Sequence, residues 1–148
     1  MLTDRDIARI SDRIVAHCAP LAVGVFGSYA IGTPRADSDL DLFVIKDSVE
    51  RPAMRRRAVR MLLHEIIHPL DIHVFTPAEF EETVYEYQSF TWVVARQARL
   101  YYWSDEAARR LPGLLAAIQQ DPQATTSTPS APDPPRLILR AAADRFRS

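Results

Sequence analysis

The chain has a single cysteine, Cys18, so it cannot close an intrachain disulfide and cannot supply a cysteine-rich zinc site. It also has no apolar run of membrane-spanning length. Met1 to Arg13 alternates charged with apolar residues and lacks the apolar stretch of a secretory leader, so a cytoplasmic protein without membrane attachment is expected. Lysine is almost missing: of 18 basic residues only Lys46 is not arginine, a bias that fits GC-rich coding and carries no functional weight. Net charge is −1, which gives no bulk electrostatic case for direct nucleic-acid binding. What the chain does have is an ordinary globular balance, 47% apolar and 25% charged over 148 residues, enough for one domain and a short appendage.

Thr3 to Cys18 reads as a helix capped by Thr3, with Ile7, Ile10, Ile14 and Val15 on one stripe and Pro20 ending it. Leu21 to Phe26 is a short buried strand that Gly27 breaks, and Ser28 to Ile31 starts a helical turn. Thr33 to Ser38 is a loop and Leu40 to Ile45 a second strand. The spacing predicts a helix over Pro52 to Ile67, stopped by Pro69. Met54, Ala58, Met61, Leu62 and Glu65 share one side, and the arginines Arg55, Arg56, Arg57 and Arg60 make a solvated face. Leu70 to Phe75 is a third strand. Thr76-Pro77-Ala78-Glu79 is a capping box with proline at the first helical position. Gln88 to Gln97 reads as helix, Leu100 to Trp103 as extended chain, and Ser104 to Gln120 as a last helix weakened by Pro112-Gly113. Residues 121–135 hold 5 of the 11 prolines among Ser, Thr, Ala and Asp, so they are expected to be a disordered linker. Residues 136–148 could form a short C-terminal helix, leaving 1–120 as the folded domain.

Three features carry chemistry. Phe26-Gly27-Ser28 is a strand end turning into a helix, a geometry that offers backbone N–H groups and a hydroxyl to an anion. Ser38-Asp39-Leu40-Asp41-Leu42 opens a strand, so Asp39 and Asp41 point to one face and Leu40, Leu42 and Val44 to the other. Two neighbouring carboxylates repel, and a hard divalent cation removes that repulsion: Mg²⁺ takes a few carboxylates and completes its shell with water and phosphate oxygens. Asp71, within Leu70-Asp71-Ile72-His73-Val74, places a third carboxylate in another apolar strand.

Gly27-Ser28, ten intervening residues, Asp39-Leu40-Asp41 and an aspartate in the next strand resemble the nucleotidyltransferase fold of the DNA polymerase β superfamily. In particular the pattern is similar to its minimal members, the MNT proteins, which often pair as antitoxins with HEPN-domain toxins. Gly32 in the loop, Phe75-Thr76-Pro77-Ala78-Glu79-Phe80 and Ala95-Arg96-Gln97-Ala98-Arg99-Leu100-Tyr101 extend the likeness, which covers about Asp4 to Trp103. The resemblance implies an α/β, polymerase-β-like fold: a short mixed sheet carrying the three aspartates, with helices packed on its other face. It implies that Gly27 and Ser28 hold the β- and γ-phosphates of an NTP, with ATP the expected donor. Asp39 and Asp41 would bind Mg²⁺, with two ions expected, and Asp71 would complete the metal site and accept the proton of the acceptor hydroxyl. It also implies a HEPN-type partner in a hetero-oligomer, modified on a hydroxyl, with tyrosine favoured; the alternative is a non-catalytic antitoxin that neutralises its partner by contact. The sequence departs from the family pattern in one place. Minimal members commonly carry arginine soon after Gly-Ser, where this chain has Tyr29, Ala30 and Ile31, and Arg35 is the candidate to supply that charge at the nucleotide.

One motif competes. His64-Glu65-Ile66-Ile67-His68 has the H-E-x-x-H form of a zinc protease. Pro69 directly after the second histidine and the lack of a third ligand at the metzincin spacing argue against it, and two helix-surface histidines are expected instead. His73 is expected on the Asp71 side of its strand, and Tyr85, Tyr87, Trp92, Tyr101, Tyr102 and Trp103 as core and partner-facing packing residues.

Overall fold

A computed structural model of the chain describes residues 1–120. The linker expected at 121–135 and the helix expected at 136–148 lie outside the described residues. The order is α1 (Asp4–Cys18), β1 (Ala22–Phe26), α2 (Ser28–Ile31), β2 (Leu40–Ile45), α3 (Pro52–Leu62), β3 (Leu70–Phe75), α4 (Pro77–Thr83), α5 (Phe90–Gln97), β4 (Arg99–Trp103), α6 (Ala107–Arg110) and α7 (Pro112–Gln119). The four strands form one mixed sheet in the order β3-β2-β1-β4. β1 is antiparallel to both β2 and β4, while β2 and β3 are parallel and joined through α3, the kind of crossover that parallel neighbours need.

Local signals account for most element ends. Thr3 accepts a hydrogen bond from the Asp6 backbone N–H while the Asp6 carboxylate accepts one from the Thr3 N–H, a complete capping box on α1. Thr76 and Glu79 do the same for α4, with Pro77 at its first position. Ser89 caps α5 by accepting from the Trp92 N–H. The last predicted helix is split at Leu111, because Pro112 cannot donate into a continuing helix. The Glu81 carboxylate takes over as partner for the Gly113 and Leu114 N–H groups at the start of α7.

The sheet is covered on both faces, not on one as the sequence suggests. Leu40, Leu42, Val44, Ile72 and Val74 pack with Val23 and Val25 against Ile7, Ile10, Ile14, Val59 and Leu63 from the α1 and α3 side. Phe43 and Ile45 pack on the opposite face with Phe80, Val84, Val94, Leu111, Leu114 and Ile118. The alternation along β2 therefore separates two cores, not core from solvent.

Helix α3 departs furthest from expectation. It ends at Leu62, five residues before Ile67, and it is rotated: Met54 and Met61 are 41% and 63% exposed, while Arg55 is 3% exposed. The Arg55 guanidinium donates to Glu50 O at 3.0 Å, Val74 O at 3.1 Å and both carboxylate oxygens of Glu79 at 2.8 Å. This fork ties α3 to β3 and α4, and its fully hydrogen-bonded state is what allows a charge to be buried there. Beside Arg55, the Glu79 carboxyl is held below the usual carboxylate range, chiefly by the Arg55 hydrogen bonds and only partly opposed by burial.

Replacing Arg55 with alanine is expected to destabilise the domain by about 3 kcal/mol, the lower end for breaking a buried ion pair from one side. Arg55→Lys should recover less than half of that, since an ammonium lacks the planar fork. Glu79→Gln leaves the buried guanidinium without its counter-charge, so it should also cost about 3 kcal/mol. Urea unfolding of the three variants measures this; a loss of less than about 1 kcal/mol for Arg55→Ala or Glu79→Gln, the level of an exposed pair, would show that the pair is not the hub.

Candidate active site

The three sequence features converge at one end of the sheet. Phe26 at the end of β1 is the cross-strand partner of Asp41 in β2, and Asp41 is the parallel partner of Asp71 in β3. Asp41 and Asp71 therefore stand side by side on the same face as Phe43 and His73. Along β2 that face runs from Phe43 and Ile45, both 0% exposed, to half-buried Asp41, and Asp71 and Asp39 are exposed. The carboxylates thus sit where the helical cover ends.

Gly27 shows how tightly the turn after β1 meets β2. Its φ is +71°, a left-handed conformation that side-chain-bearing residues avoid. A β-carbon there would lie 2.1 Å from Asp41 Oδ2. Both the conformation and the space require glycine. The Gly27 N–H donates to the Gln97 side-chain oxygen at 2.9 Å, across seventy residues of sequence. Gln97, the last residue of α5, is a site neighbour that no short-range pattern indicated. Ser28 opens α2, and its hydroxyl makes no hydrogen bond among the described residues.

The loop between α2 and β2 carries Arg35. Its backbone N–H donates to Ser38 Oγ at 2.8 Å, and the Ser38 N–H donates back to Arg35 O at 3.0 Å. The Arg35 guanidinium is exposed and makes no hydrogen bond or ion pair among the described residues, so this turn does not bring it to the carboxylates. His68 steadies the same loop: its Nε2 lies 2.7 Å from Ser38 O and 3.3 Å from the Tyr29 hydroxyl. His64 instead places Nδ1 3.0 Å from Met61 O. The two histidines of the H-E-x-x-H string lie beyond the end of α3 and have separate partners, so they do not form a paired ligand face. The expectation that both lie on a helix surface is corrected with it.

Electrostatically the site is short of positive charge. Burial, the neighbouring Asp71 charge, a side-chain hydrogen bond with Asp71 and, more weakly, Asp39 push the Asp41 carboxyl above the usual carboxylate range, and only His73 opposes them. His73 Nε2 is 3.2 Å from Asp71 Oδ2 but out of line for a hydrogen bond, so this buried ring nitrogen has no hydrogen-bond partner. Its ring packs between Phe26 at 5.5 Å and Phe90 at 4.9 Å. Among the described residues no group of three or more His, Cys, Asp and Glu is gathered to hold a metal ion by itself. The all-oxygen donors and the uncompensated charge on Asp41 and Asp71 still fit a hard cation that takes one or two carboxylates and draws its other ligands from phosphate and water.

A family model described as "nucleotidyltransferase domain" matches residues 7–102. No curated protein matches the chain. Among solved structures, a tyrosine-to-alanine mutant of the toxin-antitoxin MntA-HpeT is 14% identical, aligns over 100% of this chain and 100% of that chain, and gives a TM-score of 0.50. A second mutant of that pair, with two aspartates changed to glutamate, is 14% identical over 99% of this chain and 100% of that one, with a TM-score of 0.49. The BolA domain of SufE1 from Arabidopsis thaliana is 24% identical over 53% of this chain and 99% of that one, with a TM-score of 0.40. At 14% identity the match with a TM-score of 0.50 is a likeness of fold alone, and the α/β architecture with a short mixed sheet is the expected one.

The raised Asp41 carboxyl sets a pH dependence. A group that holds its proton more tightly in the folded state stabilises the fold below its ordinary carboxylate value, and that stability is lost as pH rises through the raised folded value. Metal-free Asp41→Asn should therefore melt a few degrees above the parent at pH 7, with the gap closing as pH falls through the carboxylate range. Melting curves in EDTA from pH 3.5 to pH 7, about the window of the linkage, check this; a variant that melts lower at pH 7 would contradict it. Gly27→Ala should instead lower the melting temperature, because the added methyl meets the Asp41 carboxylate.

Proposed function

The chain belongs to the nucleotidyltransferase domain family, and from that premise we propose that it moves a nucleoside monophosphate from an NTP, with ATP the expected donor, to a hydroxyl of a partner protein. The observation that carries this reading is the register of β2 on β3, which sets Asp41 beside Asp71, with Gly27 packed on the Asp41 carboxylate. A phosphate-binding turn and a carboxylate pair in contact are what an attack at phosphorus requires.

In this reading Gly27 and Ser28 bind the β- and γ-phosphates, Ser28 through its unengaged hydroxyl. Asp39 and Asp41 hold Mg²⁺ and Asp71 completes the metal site. The ion, when bound, neutralises phosphate charge as it develops. Arg35 adds its charge to the triphosphate only if its loop turns inward. The acceptor oxygen forms a bond to the α-phosphorus, the bond from that phosphorus to the bridging oxygen breaks, and pyrophosphate leaves. The Asp71 carboxylate takes the hydroxyl proton.

The partner in this proposal is a HEPN-type protein, with this chain as its antitoxin. Two things support it: the resemblance of the motif set to minimal nucleotidyltransferases and a fold shared with a toxin-antitoxin structure. No helix among the described residues is long and apolar enough to cross a membrane. Nucleotidylation of a partner tyrosine would add anionic charge and bulk that repel RNA.

Co-expression with a HEPN-type product encoded beside this chain, followed by intact mass of that product, tests the proposal. The expected result is a gain of one or more nucleotidyl units, abolished by Asp41→Asn. An unmodified partner that is still inhibited would establish a contact-only antitoxin in its place.

A further inference from the structure

Past His73 the sheet edge opens into a cleft of about 450 Å³ between β3, the start of α3 and the pair α4 and α5. That volume is within the usual range of small-ligand sites, about 300–1,000 Å³. Three rings form its wall: His73 lies 4.9 Å from Phe90 and 6.5 Å from Phe75, the latter nearly parallel at 13°, and Phe75 lies 6.2 Å from Phe90. Phe90 is 48% exposed, an unusual state for a phenylalanine in a wall of stacked rings. Glu79 also lines the cleft, but Arg55 neutralises it. Arg56, on the facing side, makes no hydrogen bond or ion pair among the described residues, so the cleft carries net positive charge.

His73 joins this cleft to the carboxylates, since it lines the cleft and lies 3.2 Å from Asp71. Across the sheet the order is Gly27-Ser28 after β1, Asp41 in β2, Asp71 in β3, and then the cleft at the outer edge of β3. In-line displacement at phosphorus requires the attacking and leaving oxygens to lie on opposite sides. If pyrophosphate leaves towards Gly27 and Ser28, the attacking hydroxyl must arrive from the β3 side.

We propose that this cleft is the acceptor subsite, and that it receives a tyrosine carried on an acidic segment of the partner protein. The proposal rests on the transferase reading above and deepens it. The phenol ring packs against Phe90 and His73 by edge or offset contact, its hydroxyl points to Asp71, and acidic neighbours of the tyrosine face Arg56. The phenolic oxygen bonds to the α-phosphorus as pyrophosphate departs, and the phenolic proton passes to Asp71.

Phe90→Ala and Arg56→Glu in the full chain test this, because both side chains are exposed; Phe90→Ala also gives up a ring contact with buried Phe26, so the melting temperature of each variant without ligand is the baseline for the comparison. Two readouts are needed: the mass gain of the co-expressed partner over time, and the rise in melting temperature of each isolated variant with Mg²⁺ and ATP. The proposal expects an unaltered nucleotide-induced rise in both variants, modification slowed about tenfold or more, and recovery in Phe90→Trp, since loss of an acceptor contact acts on transfer and not on donor binding. Unchanged modification by Phe90→Ala and Arg56→Glu would overturn it. Loss of the nucleotide-induced rise would overturn it too, by assigning the cleft to the base of the donor. If the wild-type chain leaves the partner unmodified while still binding nucleotide, the transferase reading itself fails, and the subsite falls with it.

Discussion

The parallel pairing of β2 with β3 is the constraint on which the candidate site depends. It sets Asp41 opposite Asp71, an arrangement that like charges resist. What holds the register lies on the other side of the sheet. Leu40, Leu42 and Val44 alternate with the aspartates on β2, Ile72 and Val74 do so on β3, and all are buried in one core. A slip by one residue would turn that apolar set out of the core, a loss much larger than the relief of one repulsion. Arg55 adds a second restraint by bonding Val74 O while it binds Glu79, which fixes the far end of β3 to α3 and α4. The apolar face and the arginine fork together hold the carboxylates in a position they would not take alone.

That division explains what could be read from the sequence. Strands β2 and β3 were legible to the residue, because apolar residues alternate with aspartates between clear breakers. The capping box of α4 was legible because it is complete within four residues; at α1 only the Thr3 cap was, and the return bond to Asp6 came with the structure. The burial of Arg55 was not. A pattern reading ranks methionine as core and arginine as surface, and it places Met54 and Met61 together on one side of α3 and Arg55 on a solvated face. The partners that reverse this ranking, Glu79 and the Val74 carbonyl, lie 24 and 19 residues away and become visible only when the crossover closes. The end of α3 was misread for a related reason: Leu63 and Ile66 continue an apolar pattern, but they pack from turns and not from a longer helix.

The candidate site divides in the same way. The Gly-Ser turn and the aspartates were legible from their spacing, and the structure brings Gly27, Asp41 and Asp71 together. Asp39 stands one strand position outside, and Arg35 remains on its own turn. The surroundings were hidden because they are assembled from distant pieces. Gln97 reaches Gly27 from the end of α5, Phe90 reaches His73 from its start, and Arg56 comes from α3. The aromatic residues expected as core and partner-facing packing divide between the two: Tyr101 is buried with its hydroxyl donating to Asp4, while Tyr85 and Tyr87 are largely exposed.

The electrostatic state of the metal-free protein bears on how such a site would work. Asp41 holds its proton more tightly than a free carboxyl because it is partly buried and faces Asp71 with little cation nearby. A divalent ion arriving with a triphosphate would convert that repulsion into coordination, so loading the donor would also stabilise the sheet edge. Asp71, with more exposure than Asp41, is less committed to the centre of the pair and lies nearer to His73 and the cleft. One carboxylate thus faces the Gly27 turn and its neighbour faces the open edge of β3. A single register between two parallel strands generates that asymmetry, and an asymmetric pair is what a reaction needs when its donor and its acceptor must approach one phosphorus from opposite sides.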